Sequence, residues 1–254
     1  MTPEAYQMLA ERQHTYWWHR ARRSTALSLL CRYGLTSECR WVDIGCGPGG
    51  NLHMLDPLHP REVVGVDLSP TALSLAAKIA PSATLVSADI NEHLSFEDSS
   101  FDVATIFNVL YHQWVRSEGA VLAEVGRIVR PGGLLLLTEP AFDVLRRELD
   151  DAVMTRRRYR LGDFDELLRL AGFELLFASY FTSFGFPLLV AAKYLRGRRS
   201  STTTTCAPDM RPLPRVVNEA FFGAAMLEGQ ALARGVHMPF GTTLIVVARR
   251  LTRK

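Results

Sequence analysis

The chain has 254 residues, enough for one α/β domain with an insertion and a substantial buried core. Its 29 basic and 26 acidic residues leave a formal charge of +3, too little to imply a polyanionic partner by itself, and its 48% apolar content is ordinary for a globular chain. Cys31, Cys39, Cys46 and Cys206 show no metal-ligand spacing, no apolar stretch approaches the ~20 residues that span a bilayer, and the polar amino terminus does not read as a signal peptide, so a cytoplasmic chain without a metal is expected.

Residues 3 to 33 read as helices. Pro3 suits a first helical position behind Thr2, and Ala5, Met8 and Leu9, then Ala26, Leu29 and Leu30, recur at helical spacing. Between them runs Tyr16-Trp17-Trp18-His19-Arg20-Ala21-Arg22-Arg23. Two adjacent tryptophans cannot both face one core, so at least one covers a neighbouring surface or a ligand. Trp41-Val42-Asp43-Ile44 then reads as a first strand, breaking at Gly45-Cys46-Gly47-Pro48-Gly49-Gly50-Asn51 into a tight loop expected to open a helix. Glycines at alternate positions let another molecule approach the backbone. Alone, such a loop fits either a dinucleotide pyrophosphate or an ordinary strand-to-helix turn.

Val63-Val64-Gly65-Val66-Asp67 is a second apolar strand ending in an acid, and Ser69 with Pro70 starts the next helix. A carboxylate there can accept both hydroxyls of a ribose. A third strand runs over residues 84–90 and includes Asp89; a fourth, over 101–110, includes Asn108. Arg130-Pro131-Gly132-Gly133 turns into a fifth, over 134–140, which includes Glu139. With a polar or acidic residue at each carboxyl end, the five strands predict a doubly wound α/β sheet whose functional groups share one rim.

Tyr111-His112 follows the fourth strand, and Arg156-Arg157-Arg158-Tyr159-Arg160 precedes a helix over 162–173 with Asp163 as cap and Gly172 as stop. The basic run either holds a phosphate or carboxylate or forms a solvated face. Strands over 174–181 and 242–248 are expected to pair antiparallel at one edge, yet about sixty residues separate them, far more than a hairpin loop. That interval holds an apolar helix over 186–195, a basic end at Arg196, Arg198 and Arg199, a Ser/Thr linker over 200–205 and a second helix from 214 to 234. It reads either as an apolar lid or platform over a ligand, with weak membrane-surface contact through the basic end, or as a helical pair packed on the sheet or in a dimer.

Taken together, Asp43-Ile44-Gly45-Cys46-Gly47-Pro48-Gly49, Gly65-Val66-Asp67-Leu68-Ser69, Ala88-Asp89-Ile90, Ser100-Phe101-Asp102-Val103 and the stretch 122–133 ending Arg130-Pro131-Gly132-Gly133 resemble the class I S-adenosylmethionine-dependent methyltransferases. The likeness covers roughly residues 38–180 and the last strand. The segment Tyr16–Arg23 is similar to the amino-terminal signature of a subgroup carrying Trp-Trp-x-Arg-x-Arg-Arg, though Thr155 stands where that subgroup usually has histidine. A dinucleotide dehydrogenase is the structural rival, and the glycine spacing disfavours it.

The resemblance implies a Rossmann-like, seven-stranded, mostly parallel sheet. Residues 1–36 would form a helical cap, 37–180 with 241–254 the cofactor-binding domain, and 181–240 a helical insertion. It further implies that Asp43 orients the loop and the cofactor's amino group, while Gly45, Gly47 and Gly49, with Cys46 and Asn51 beside them, admit the methionine portion. Asp67 would take the ribose, Leu68, Asp89 and Ile90 the adenine, Asn108 the middle of the cofactor, and Tyr16, Arg22 or Arg23 the methionine carboxylate. His112, with an ordinary pKa near 6.5, is the first candidate for a base, with Tyr111 and Glu139 behind it. Trp18, Arg157, Arg158 and Tyr159 are candidates for the acceptor. A small or lipid-like acceptor methylated at oxygen or carbon is expected, because the Asn-Pro-Pro-Tyr run of nucleic-acid adenine methyltransferases is replaced by Phe107-Asn108-Val109-Leu110. Nucleic-acid or protein methylation, or a non-catalytic cofactor-binding partner, are the alternatives; the oligomer is expected to be a monomer or homodimer.

Overall fold

In the computed structural model, which describes residues 2–146, 150, 153–196 and 212–252, strand β1 (Arg40–Ile44) lies inside a seven-stranded sheet. The other strands are β2 (Glu62–Asp67), β3 (Thr84–Ser87), β4 (Phe101–Phe107), β5 (Val129–Pro140), β6 (Phe173–Phe181) and β7 (Thr243–Arg250), in the order β3-β2-β1-β4-β5-β7-β6. β1 to β5 pair in parallel, and β7 runs antiparallel between β5 and β6. Pro140 and Phe181 both pair with Thr243, so the ends of β5 and β6 and the start of β7 reach the same rim as the carboxyl ends of β1 to β4.

Continuous apolar strands need cover on both faces, and alternate residues supply it. Val42, Ile44, Ala104, Ile106, Leu135 and Leu137 pack on one side against Leu122, Val125 and Ile128 of α4 (Glu118–Ile128) and Leu168 of α5 (Asp165–Leu170). Trp41, Val103, Leu134 and Leu136 face the other side, against Leu29 and Leu30 of α2 (Trp17–Arg32) and Ala225 and Leu232 of α7 (Arg215–Ala233). α1 (Pro3–Arg12) and α3 (Pro70–Ile79) start as expected: Thr2 and Ser69 accept from the backbone N–H of Ala5 and Ala72, with proline just inside.

The helix expected after the glycine loop does not form. Residues 49–58 instead make successive i to i+3 turns, from Leu52 N–H to Gly49, Met54 to Asn51 and Leu58 to Leu55. Gly49, Gly50 and Pro57 leave too short a run between them for a helix to nucleate.

The interval between β6 and β7 begins with α6 (Gly185–Arg196) and ends with α7, which lies along α2. Asn218 of α7 accepts from the backbone N–H of Trp17 and donates to the carbonyl of Thr15, and Glu228 accepts from the N–H and hydroxyl of Ser183 just before α6. The expected linker over 200–205, Arg198, Arg199 and Cys206 lie outside the described residues. Among the described residues no helix is long and apolar enough to cross a membrane.

Candidate active site

A cavity of about 860 Å³ follows the carboxyl-end rim of the sheet. Its lining runs from Asp89 and Ile90 after β3, through Asp67 and Leu68, Gly45 to Pro48, and Phe107 to Val109, to Pro140, Thr182, Thr242 and Thr243. With neighbouring strands about 4.8 Å apart, the rim from β3 to β6 is roughly 29 Å long. The sides are closed by Tyr6, Leu9 and Gln13 of the first helical segment, Trp17, Trp18, His19 and Arg22 of α2, Leu188 and Leu189 of α6, and Phe221 of α7.

The glycine loop is tied to the second strand. Gly47 N–H donates to Oδ2 of Asp67 at 2.9 Å and Ser69 N–H donates to Oδ1 at 2.8 Å, while burial raises the pKa of that carboxyl. The three alternate glycines serve different purposes. At Gly47, with φ +54°, the Cβ direction is open. A Cβ on Gly45 would come within 2.4 Å of Val109, and one on Gly49, with φ +84°, within 2.9 Å of the Ala76 backbone. Gly49 is therefore dictated by packing on α3 and does not line the cavity, contrary to its expected role.

Arg22 is only 4% exposed, yet it lines the cavity. Its Nη1 donates to Oδ1 of Asn108 and its Nη2 to Oδ1 of Asn51, both at 3.1 Å, and its guanidinium lies 4.6 Å from the Trp18 ring centroid and 4.7 Å from that of Phe107. Burial lowers its pKa to about 9, so it stays charged at neutral pH. Asn108 holds a left-handed φ of +58° and is fixed by Thr138, which accepts from its backbone and donates to its side chain.

A family model described as a methyltransferase domain matches residues 42–133. The chain is 30% identical over 159 residues to the trans-aconitate 2-methyltransferase of Methylobacterium nodulans, a match covering 57% of this chain and 60% of the relative. It is 35% identical over 116 residues to phthiotriol/phenolphthiotriol dimycocerosates methyltransferase 1 of Mycobacterium ulcerans, covering 44% of this chain and 42% of the relative. The chain thus spans about half the length of these curated relatives. In fold it is similar to a chain of the Haloferax volcanii complex between a methyltransferase and its Trm112 methyltransferase activator, with a TM-score of 0.65 and 18% identity over 100% of this chain and 99% of that one. Residues 42–133 thus match a methyltransferase domain, and the chain shares the fold of that neighbour.

Of the residues expected at the site, Tyr16, Arg22, Gly45, Cys46, Gly47, Asn51, Asp67, Leu68, Asp89, Ile90 and Asn108 line the one cavity, as do Trp18, Tyr111, His112 and Arg158. Asp43 lies beneath it. Fully buried, Asp43 accepts from the Thr105 hydroxyl at 2.6 Å, which itself accepts from Trp41 Nε1 at 2.8 Å, and burial pushes its pKa up to about 7. Its Oδ1 is thus held within the sheet, and Asp43 does not line the cavity.

The candidate bases change character. His112 is stacked on Trp114 with centroids 4.1 Å apart, and its Nδ1 lies 3.0 Å from the carbonyl of Val153. Burial lowers its pKa from the expected value near 6.5 to about 3, so the ring is neutral at physiological pH and Nε2 is its acceptor nitrogen. Glu139 is fully buried, does not line the cavity, and accepts the backbone N–H groups of Val109, Leu110 and Tyr111. That use of its oxygens makes it a brace for the turn after β4, not a base.

Arg156, Arg157 and Arg158 of the arginine run are engaged within the protein itself. Arg156 donates to the carbonyl of Val115 and pairs with Glu118; Arg157 pairs with Asp163 at 2.9 Å and covers the Tyr159 ring. Tyr159 is fully buried and donates to Glu118. Neither Arg157 nor Tyr159 lines the cavity, so the expected anion-binding role is not met by them. Sequence reading also passed over Tyr6, Leu9 and Gln13, although their i, i+3, i+7 spacing places them on one face of a helix. Phe184 and Phe221 were passed over too; nothing local distinguishes them from core residues.

Proposed function

We propose that the chain is an S-adenosylmethionine-dependent methyltransferase whose acceptor is a small or lipid-like molecule, methylated at oxygen or carbon. The observation that carries this reading is that one continuous cavity has two unlike ends. The end at β1, β2 and β3 brings together an open glycine, two acids and a buried arginine; the end at β5, β6 and β7 is walled by Leu145, Phe184, Leu188, Leu189 and Phe221.

The first end suits the cofactor group by group. Gly47 leaves room beside the backbone, Asp67 retains lone pairs beyond those used by Gly47 and Ser69, and Leu68, 59% exposed, offers an apolar face to a flat ring. Arg22 keeps a buried Nε–H without a partner among the described residues, the kind of donor that a carboxylate satisfies. S-adenosylmethionine brings a methyl group on a sulfonium with a good leaving group, so the protein's main task is to align an acceptor. Asn108, Tyr111 and His112 lie where the two ends meet and would hold that acceptor's polar atom. The relatives named for trans-aconitate and for phthiotriol-type lipids support a small or lipid-like class.

The test is release of S-adenosylhomocysteine when the chain is given S-adenosylmethionine and a panel of apolar alcohols and phenols, with RNA and peptide as controls. Turnover with a small acceptor, lost in Asp67→Ala, is expected. Turnover with RNA alone, weakening steeply with salt, would replace this reading by a nucleic-acid one. Cofactor binding with no turnover on any acceptor would favour a non-catalytic partner.

A further inference from the structure

Arg158 is the one member of the arginine run that reaches the cavity, and all three nitrogens of its guanidinium already donate hydrogen bonds within the protein. Nε and Nη2 donate to the two carboxylate oxygens of Asp150 at 2.8 and 3.1 Å, and Nη1 donates to the carbonyl of Ala141 at 3.0 Å. Both side chains are sequestered, at 10% and 4% exposure, and both line the cavity. The same cavity is lined by Leu145, Val153 and Tyr111 and by Leu188 and Leu189 of α6.

This arrangement has a consequence for charge. A bidentate pair cancels its own field at ligand distance, and each partner depends on the other for compensation. A carboxylate or phosphate entering this end would shed its hydration and find the nearest cation already neutralised. Among the described residues, Arg22 is the other buried arginine lining the cavity, and it is engaged by Asn51 and Asn108 beside the glycine loop. An uncharged molecule with an apolar chain or ring gives up little water and gains the leucine and phenylalanine wall.

We propose that Asp150 is a specificity-determining residue, which by neutralising Arg158 sets this end of the cavity to accept an uncharged apolar molecule and to reject its anionic counterpart. The inference rests on the methyltransferase reading of the cavity and narrows its acceptor class.

The test uses the full chain with and without saturating S-adenosylhomocysteine, titrated calorimetrically with 1-octanol and with octanoate at about pH 8. The alcohol binds at least about tenfold more tightly than the carboxylate. Asp150→Asn unmasks Arg158 and tightens octanoate by at least about tenfold, with 1-octanol little changed. The double variant Asp150→Asn with Arg158→Gln restores the preference for the alcohol, and it decides the matter where the single variant does not fold. Octanoate binding as well as 1-octanol in the unmodified chain, binding of neither, or a gain for octanoate that survives in the double variant would each overturn the proposal. Should S-adenosylhomocysteine fail to bind while the alcohol preference holds, the methyltransferase reading falls and the charge filter stands. The reverse result separates them the other way.

Discussion

Nη1 of Arg22 donates a 3.1 Å hydrogen bond to Oδ1 of Asn108, joining the first turns of α2 to the residue that follows β4. Through Nη2 the same side chain holds Asn51 in the loop region after β1. One cation thus gathers three segments that are far apart in the chain. Because Asn108 is also fixed by Thr138 on β5, the arginine is positioned against the sheet itself.

Arg22→Lys keeps the charge but cannot span both asparagines, since an ammonium lacks the planar fork. Hydrogen bonds to charged groups contribute about 1.5–3 kcal/mol each, so S-adenosylmethionine affinity should fall by on the order of tenfold or more. Calorimetric titration of both proteins measures it. Equal affinity would place Arg22 outside cofactor recognition.

His112 gives a prediction about pH. Its folded pKa of about 3 lies far below its ordinary value of 6.5, so protonation favours the unfolded chain, and the stability contributed by the neutral buried ring is lost as pH falls from 6.5 toward 3. In ring-proton NMR the His112 signal should stay that of neutral imidazole down to about pH 4. A midpoint between 6 and 7 would instead restore it as a conventional base. His112→Ala should lower turnover while leaving cofactor affinity nearly unchanged.

Glu139 has the opposite sign. Its folded pKa is raised by burial from 4.5 to about 8, so its protonated form is favoured in the fold and stability falls as pH rises between those values, then levels off. The slope approaches about 1.4 kcal/mol per pH unit for one group. The difference in melting temperature between pH 5 and pH 8 should therefore be smaller in Glu139→Gln than in the unmodified chain. Identical pH dependence in the two proteins would show that Glu139 is ionised throughout.

The sheet was legible because strand signals are local. Apolar runs such as 63–67 and 134–139 end in an acid, and Ser69-Pro70 marks a helix start whatever surrounds it. The short turns of 49–58 were not, because a glycine loop after a first strand is expected to open a helix, and here Gly50 and Pro57 deny it enough length. The roles of Asp43, Gly49 and Glu139 were hidden for a different reason. Depth within the sheet separates a carboxylate that faces a ligand from one that braces a turn, and depth depends on strand pairing. Likewise the pairing of Arg158 with Asp150 and of Arg157 with Asp163 depends on how the segment after β5 folds back, so the sequence left open whether the run holds an anion or forms a solvated face and did not reveal that these two charges are met within the protein.

The measurement that bears most directly on the central claim is parallel calorimetric titration of the purified chain, and of Asp67→Ala, with S-adenosylmethionine and with NAD. The account predicts micromolar binding of S-adenosylmethionine to the unmodified chain alone, no binding to the variant, and none of NAD to either. Binding of NAD without S-adenosylmethionine would contradict it and reassign the glycine loop to a dinucleotide.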